Sequence, residues 1–246
     1  MIRIRADLHV HTVLSPCAEV EMIPPLIVRE ALDLGINLIA ITDHNSSANI
    51  ESVQKAAKGT TLSIIPGMEL QTREEVHVLC LFDTLEQIKT WQKIVEASMP
   101  DILNDIEHFG EQFVVDETGD FIRREERLLI TSSDLTLTEA YNKVTELGGW
   151  LVPAHVNRKM NGLLSILGFV PMDIPIDVLE ISRHLQPAEA YKKFPQIKNY
   201  PLLQDGDVHI LGDFAGTNEF ILNNISIQEL RMAVHQQEGR SHRILN

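Results

Sequence analysis

The residues with the clearest chemical capacity are in Asp7-Leu8-His9-Val10-His11-Thr12, at the end of an N-terminal run, Ile2 to Leu8, that reads as a β-strand. Side chains at i and i+2 of a strand lie on one side, so Asp7, His9 and His11 are expected to project together. Two imidazoles and a carboxylate converging where a strand ends are suited to a divalent metal. Taken alone, the pattern is equally that of a strand end with polar residues facing solvent. Partner motifs further along the chain decide between the two.

Those partners exist. Ten histidines occur in the chain, and His9, His11, His44, His77, His155 and His209 fall in or at the ends of expected strands, mostly beside carboxylates. Imidazole and carboxylate together suit Zn²⁺, Mn²⁺ or Fe²⁺. They outnumber what one tetrahedral zinc uses, which argues for a multinuclear site. For phosphate, Arg158 lies three residues after His155, and Arg183 lies just past an expected strand. A guanidinium grips phosphate oxygens bidentately. His184, beside Arg183, is a further candidate for substrate contact, and Arg73 is a weaker third arginine. Cys80 alternates out of phase with His77 and reads as core packing, whereas His108, His235 and His242 read as surface.

Alternating elements must position these groups. Pro24 to Gly35 has prolines at its start, apolar residues at helical spacing and a glycine stop, and so reads as a helix. Strands are expected at 37–42, ending at Asp43-His44, at 62–66, ending at Gly67-Met68-Glu69, and at 75–82. Helices are expected at 49–58 and 85–97. Thr136-Leu137-Thr138-Glu139 is a capping box opening a helix to about Leu147. Strands follow at 150–154, ending at His155, at 176–181 and at 201–203, the last leading into Asp205-Gly206-Asp207-Val208-His209. Residues 226–237 close the chain as a helix.

About seven strands alternating with helices predict an α/β fold with a largely parallel sheet, closed as a distorted, TIM-barrel-like (β/α)7 barrel with its polar clusters at the C-terminal strand ends. Residues 112–130 break the rhythm and read as a β-hairpin excursion turning at Glu117-Thr118-Gly119-Asp120. With 246 residues, 44% of them hydrophobic, the whole chain is expected to form one domain.

The net charge is −14 and the isoelectric point near 5.1. An acidic surface does not attract a phosphate backbone over long range. The expected partner is therefore a small phosphorylated substrate or short nucleotide, without an extended nucleic-acid surface. Two cysteines form no disulfide framework. No apolar run approaches the roughly 18 residues of a membrane span, and no basic, then apolar leader opens the sequence. A soluble protein of a reducing cytoplasm is the expectation.

Asp7-Leu8-His9-Val10-His11-Thr12, Thr42-Asp43-His44, Gly67-Met68-Glu69, His77, Pro153-Ala154-His155 and Gly206-Asp207-Val208-His209 together resemble, in order, the motifs of the PHP (polymerase and histidinol phosphatase) domain family. Each motif is weak alone; six in register are specific, and they span residues 7 to 209. The family's distorted seven-stranded β/α barrel agrees with the strand count. The resemblance implies up to three divalent metal ions. His9, His11, Glu69 and Asp207 would hold the first, and Glu69 would bridge to a second completed by His77 and His155. His44 and His209 would hold a third, together with a residue that in many relatives is histidine and here is Cys17. A thiolate at that position would bias the third site toward a softer metal such as Zn²⁺. Asp7 and Asp43 would orient the ligands from behind.

The implied activity is hydrolysis of a phosphate ester by metal-bridged hydroxide, with Glu69, Asp207 and Arg158 as its catalytic groups and Arg158, Arg183 and His184 on the substrate. The ester would be a monoester resembling histidinol phosphate, or the phosphodiester of a nucleotide or short oligonucleotide. A non-catalytic, metal- or phosphate-binding regulatory module is the alternative from another class, although such copies are expected to lose ligands. A metal-dependent amidohydrolase also opens with H-x-H, but offers no place for the Thr42-Asp43-His44 and Gly67-Met68-Glu69 motifs.

Overall fold

Leu38–Ile41 and Trp150–Pro153 are buried at every position, as strands covered on both faces must be. The computed structural model describes residues 1–245. Its strands are β1 (Ile2–Val10), β2 (Leu38–Ile41), β3 (Ser63–Gln71), β4 (His77–Leu81), β5 (Phe113–Val115), β6 (Phe121–Arg124), β7 (Trp150–Pro153), β8 (Leu179–Ser182), β9 (Leu202–Asp205), β10 (Asn218–Leu222) and β11 (Ser241–Ile244). Seven form one curled sheet in the order β11-β10-β1-β2-β3-β4-β7.

The sheet is mixed rather than largely parallel. β1–β2 and β2–β3 are parallel, whereas β1–β10, β10–β11, β3–β4 and β4–β7 are antiparallel. β10 and β11 lie outside the elements expected from sequence. β8 and β9 form a separate parallel pair. The fold is thus α/β with a half-barrel sheet, and the expected (β/α)7 closure is met only in part.

Two seams interrupt the ladder, and carboxylates span both. At the β7–β8 seam, Val156 N donates to Glu180 O (2.9 Å), and the Glu180 side chain accepts from His155 N (2.8 Å). At the β9–β1 seam, Asp205 Oδ1 accepts from Leu8 N (2.5 Å) and Asp7 Oδ1 from Gly206 N (3.0 Å).

Alternation sends Leu38, Ala40, Leu79, Leu81 and Trp150 into an inner core sealed by the helix Ile227–Val234. Ile39, Ile41, Val78 and Cys80 pack outward, with the helices Pro24–Asp33 and Leu85–Ser98 on the outer layer. Cys80 is core packing, as expected. β1 does not keep one alternation throughout. Between Asp7 and Val10 it carries one residue more than β2, so Leu8 joins the inner core and Val10 the outer one. That bulge separates Asp7 from His9 and His11, against the expectation that all three project together.

The 112–130 excursion is a hairpin, β5–β6, as expected. Phe113 N donates to Val13 O (3.1 Å), and Asn49 bonds both Phe113 O and Val115 N, tying the hairpin to the loop after His11.

Candidate metal centre

His9 and His11 reach the site through the β1 bulge, and the Asp207 loop is pinned beside them. His11 N donates to Val208 O (2.9 Å) and Val208 N to His9 O (3.0 Å). Glu69 and His44 meet across a β-bridge, with Asn45 N donating to Glu69 O (3.0 Å). His77 opens β4, and His155 follows β7. His155 (φ 28°) and Asp207 (φ 50°) both sit in the left-handed region, which non-glycine residues rarely occupy. Their hydrogen-bonded surroundings hold them there.

Glu69, only 1% exposed, is the hub. Its Oε1 lies 2.8 Å from His77 Nδ1, 3.0 Å from His155 Nε2 and 3.3 Å from His9 Nε2. Its Oε2 lies 2.9 Å from His44 Nδ1 and 3.4 Å from His11 Nε2. Asp207 Oδ1 faces His9 Nε2 at 3.4 Å, His11 Nε2 at 3.6 Å and His209 Nδ1 at 3.4 Å. Ligand atoms converge within 4.8 Å in three overlapping groups: His9, His11 and Glu69; His44, Glu69 and His77; His11, His44 and His209.

The donors fit divalent metals on chemical grounds. Ser15 donates to Asp43 Oδ1 (2.7 Å), so its oxygen is left to accept from His11 Nδ1–H (3.0 Å). Glu180 Oε1 accepts from His9 Nδ1–H (3.0 Å). With those acceptors on Nδ1, both Nε2 atoms face the cluster, 3.1 Å apart. Two lone pairs at that distance repel unless a cation lies between them. Glu69 Oε2 and His155 Nδ1 are also buried without a hydrogen-bond partner.

Electrostatics divide the imidazoles. Burial opposes charge on His44, but Glu69 and Cys17 outweigh it and raise the pKa to about 9. At His77 burial prevails over Glu69 and lowers the pKa to about 4; burial and His11 lower His209 to about 3. Burial works against the Glu69 carboxylate, yet His77, His9 and His44 hold its pKa well below the usual range. The carboxylates are thus held ionised among imidazoles whose protons a bound cation would displace.

The remaining expected residues fall into place unevenly. Asp43 accepts from Thr12 N, Thr12 Oγ1 and Ser15 Oγ, fixing the loop after His11. Asp7 accepts from Gly206, Ala215 and Gly216 N–H and so braces the Asp207 loop. Arg158 pairs with Asp207 Oδ2 and, with Arg183 and His184, lines a pocket of about 500 Å³ over the cluster. Arg183 is held by Gly206 O (2.6 Å) and Asp213 Oδ1 (2.7 Å), which makes it a loop brace as well as a lining residue. Cys17 lines the pocket beside His44 but belongs to none of the three converging groups. Arg73 turns away to Asp134 O and Glu139 and does not line this pocket.

Sequence reasoning missed Glu180 and Ser15. Glu180 carried a signal: a lone acid inside an otherwise apolar strand, Val178-Leu179-Glu180-Ile181. His242, expected at the surface, is half-buried against Phe220, with ring centroids 4.6 Å apart.

Comparisons with known proteins agree with this geometry. The 5'-3' exoribonuclease Rnm of Escherichia coli (strain K12) is 32% identical over 80 residues, 30% of this chain and 26% of that protein. The match thus spans about a quarter of the curated relative. The lesion-specific endonuclease PfuEndoQ of Pyrococcus furiosus superposes with a TM-score of 0.74 at 21% identity, covering 98% of this chain and 58% of that one. Endonuclease Q bound to a 27-mer duplex with an abasic lesion gives 0.68 at 19% identity, with the same coverage.

Likeness to an exoribonuclease and to an endonuclease bound to a 27-mer duplex overturns the expectation of a small phosphorylated substrate or short nucleotide without an extended nucleic-acid surface. That expectation treated net charge as surface charge, yet Asp7, Asp43, Glu69, Glu180 and Asp205 are buried in or behind the site. The PHP domain family model matches residues 7–147, more than half of the chain, and the protein belongs to that family of metal-dependent phosphoric ester hydrolases.

Proposed function

We propose that the protein is a metal-dependent nuclease that hydrolyses phosphodiester bonds of a nucleic-acid strand. The observation that carries this reading is the open, arginine-rimmed pocket floored by the Glu69-centred cluster. The likeness to an exoribonuclease and to a DNA endonuclease supports the substrate class.

In this reading His9, His11, Glu69 and Asp207 hold a first metal, and Glu69, His77 and His155 a second. His44 and His209 hold a third, with Cys17 beside them. Bound there, divalent metals supply Lewis acidity toward the phosphoryl oxygens and a water activated at neutral pH. The protein's own groups do the rest. Glu69 and Asp207 keep the ligands converged, Arg158 and His184 receive phosphate at the pocket mouth, and Arg183 keeps the Asp207 loop in place. Among the described residues no helix is long and apolar enough to cross a membrane. We place the protein in the cytoplasm on its two-cysteine composition.

The test is cleavage of 5'-labelled single-stranded RNA, single-stranded DNA and abasic duplex DNA after loading with Mn²⁺, Zn²⁺ or Fe²⁺. Metal-dependent cleavage of at least one, abolished in Glu69→Ala, is expected. A metal-loaded protein that cleaves none of them overturns the reading.

A further inference from the structure

We propose that Glu180 is a positioning residue that couples two metal sites by holding one ligand of each. Glu180 is fully buried on β8. Oε1 and Oε2 lie 3.0 and 3.2 Å from His9 Nδ1, and Oε2 also accepts from His155 N at 2.8 Å. Its own carbonyl accepts from Val156 N at 2.9 Å. One residue therefore fixes the tautomer and ring orientation of His9 on β1. It also fixes the backbone of His155, whose φ of 28° needs outside support.

The position explains the pairing. β8 has no ladder to β7, and the gap between them is where Glu180 enters. Burying a carboxylate costs several kcal/mol unless good hydrogen bonds offset it. Core packing alone would be met by an apolar residue, as at its neighbours Leu179 and Ile181. A carboxylate is the group that orients a metal-binding imidazole through its far nitrogen, and losing such a partner weakens metal affinity by roughly 10–100-fold. Here the same carboxylate orients two imidazoles that meet at one oxygen of Glu69. His9 and His155 both face Glu69 Oε1, at 3.3 and 3.0 Å.

The inference rests on the metal assignment above, with His9 and His155 on different metals, but not on the substrate. Glu180→Gln keeps the volume and one acceptor, and presents an amide donor in place of the other. Titration of chelator-stripped protein with Mn²⁺ should show the two tightest binding phases weakened by about 10–100-fold. Metal-free Glu180→Gln should melt somewhat below wild type, since a buried acceptor is lost, so metal affinity is compared well below both transitions. Glu180→Asp, with both acceptors drawn back by one methylene, should fall between. An unchanged affinity in either phase overturns the coupling.

Wild-type protein provides a second measurement should the variants fold poorly. In Zn²⁺-loaded wild type, ¹⁵N NMR of the His9 ring should show metal on Nε2 and a proton kept on Nδ1 by Glu180. Metal on Nδ1 overturns the proposal. If wild type binds no divalent metal, the metal assignment itself fails. If metal binds and Glu180→Gln behaves as expected while no nucleic acid is cleaved, only the nuclease reading fails.

Discussion

Ser15 Oγ lies 3.0 Å from His11 Nδ1 and donates to Asp43 Oδ1 at 2.7 Å, so one hydroxyl sets the tautomer of a candidate metal ligand. The same oxygen also accepts from His44 N at 3.2 Å, joining His11 to the next motif. Ser15→Ala leaves buried His44 N–H and His11 Nδ1 without their partner and should cost about 1 kcal/mol of stability, while metal affinity falls about tenfold through the freed ring. Asp43→Asn should do more. It weakens three contacts of a buried carboxylate and is expected to cost about 1–3 kcal/mol of stability as well. Chemical denaturation of metal-free protein, paired with metal titration, separates the two effects. Equal metal affinity in Ser15→Ala and wild type would remove the role assigned to the hydroxyl.

The two pocket arginines should respond differently to substitution. Arg158 is 47% exposed, and among the described residues its side chain pairs with Asp207 alone. Arg158→Ala should lower kcat/KM for nucleic acid by about 100-fold, the scale of losing one preorganised charge donor, with metal content retained. Arg183 is anchored on Gly206 O and Asp213. Arg183→Ala should therefore loosen the loop that bears Asp207, lowering both metal content and activity. Metal analysis of the two purified variants distinguishes them before any kinetics. Full metal retention in Arg183→Ala would make that residue a substrate contact instead.

The candidate ligands were legible in the sequence because most lie in or just beyond a strand whose apolar pattern is strong. Helices beginning at Pro24, Leu85 and Leu137 were legible for a similar reason, having prolines or polar residues at their starts. β10 and β11 were not. Asn218-Glu219-Phe220-Ile221-Leu222 and Ser241-His242-Arg243-Ile244 pair antiparallel at the sheet edge, where short, mixed sequences carry little period-2 signal. Local pattern could not show the bulge that turns Asp7 away from His9, because it is defined by register against β2. The seams were equally hidden. Asp205 and Glu180 are adjacent to the site only after distant strands meet.

His242 gives a pH dependence of stability away from the metal ligands. It is half-buried on Phe220, with Nε2 3.0 Å from Asn218 Oδ1, and burial lowers its pKa from 6.5 to about 4. A folded-state pKa below the unfolded one means that the unfolded chain binds the proton first. The contribution is therefore complete above about pH 6.5 and lost as pH falls from there to about 4. Because one edge of the ring remains partly solvated, the loss should be about 1–2 kcal/mol rather than the full equivalent of the shift. His242→Gln keeps a donor and does not titrate, so its urea midpoint should fall less than that of wild type between pH 7 and 4.5. Measurements belong in chelator, so that metal binding does not contribute. Parallel curves for the two proteins would place the acid sensitivity elsewhere.

Cys17 allows a test of how far the loop after His11 enters the metal centre. Its thiol is exposed at the pocket and acts electrostatically on His44, whereas Cys80 is buried in the outer core. In chelator-treated protein, iodoacetamide should label Cys17 and spare Cys80, since access and thiolate character set the rate. If the thiolate joins His44 and His209, saturating Zn²⁺ should slow labelling of Cys17 by roughly tenfold or more, because a coordinated thiolate is a poor nucleophile. Cys17→Ser should then bind one zinc fewer while the sites built on Glu69 stay loaded. Identical labelling rates with and without Zn²⁺ would leave Cys17 outside the centre. The third group would then be His11, His44 and His209, whose ligand atoms already lie within 4.8 Å of one another.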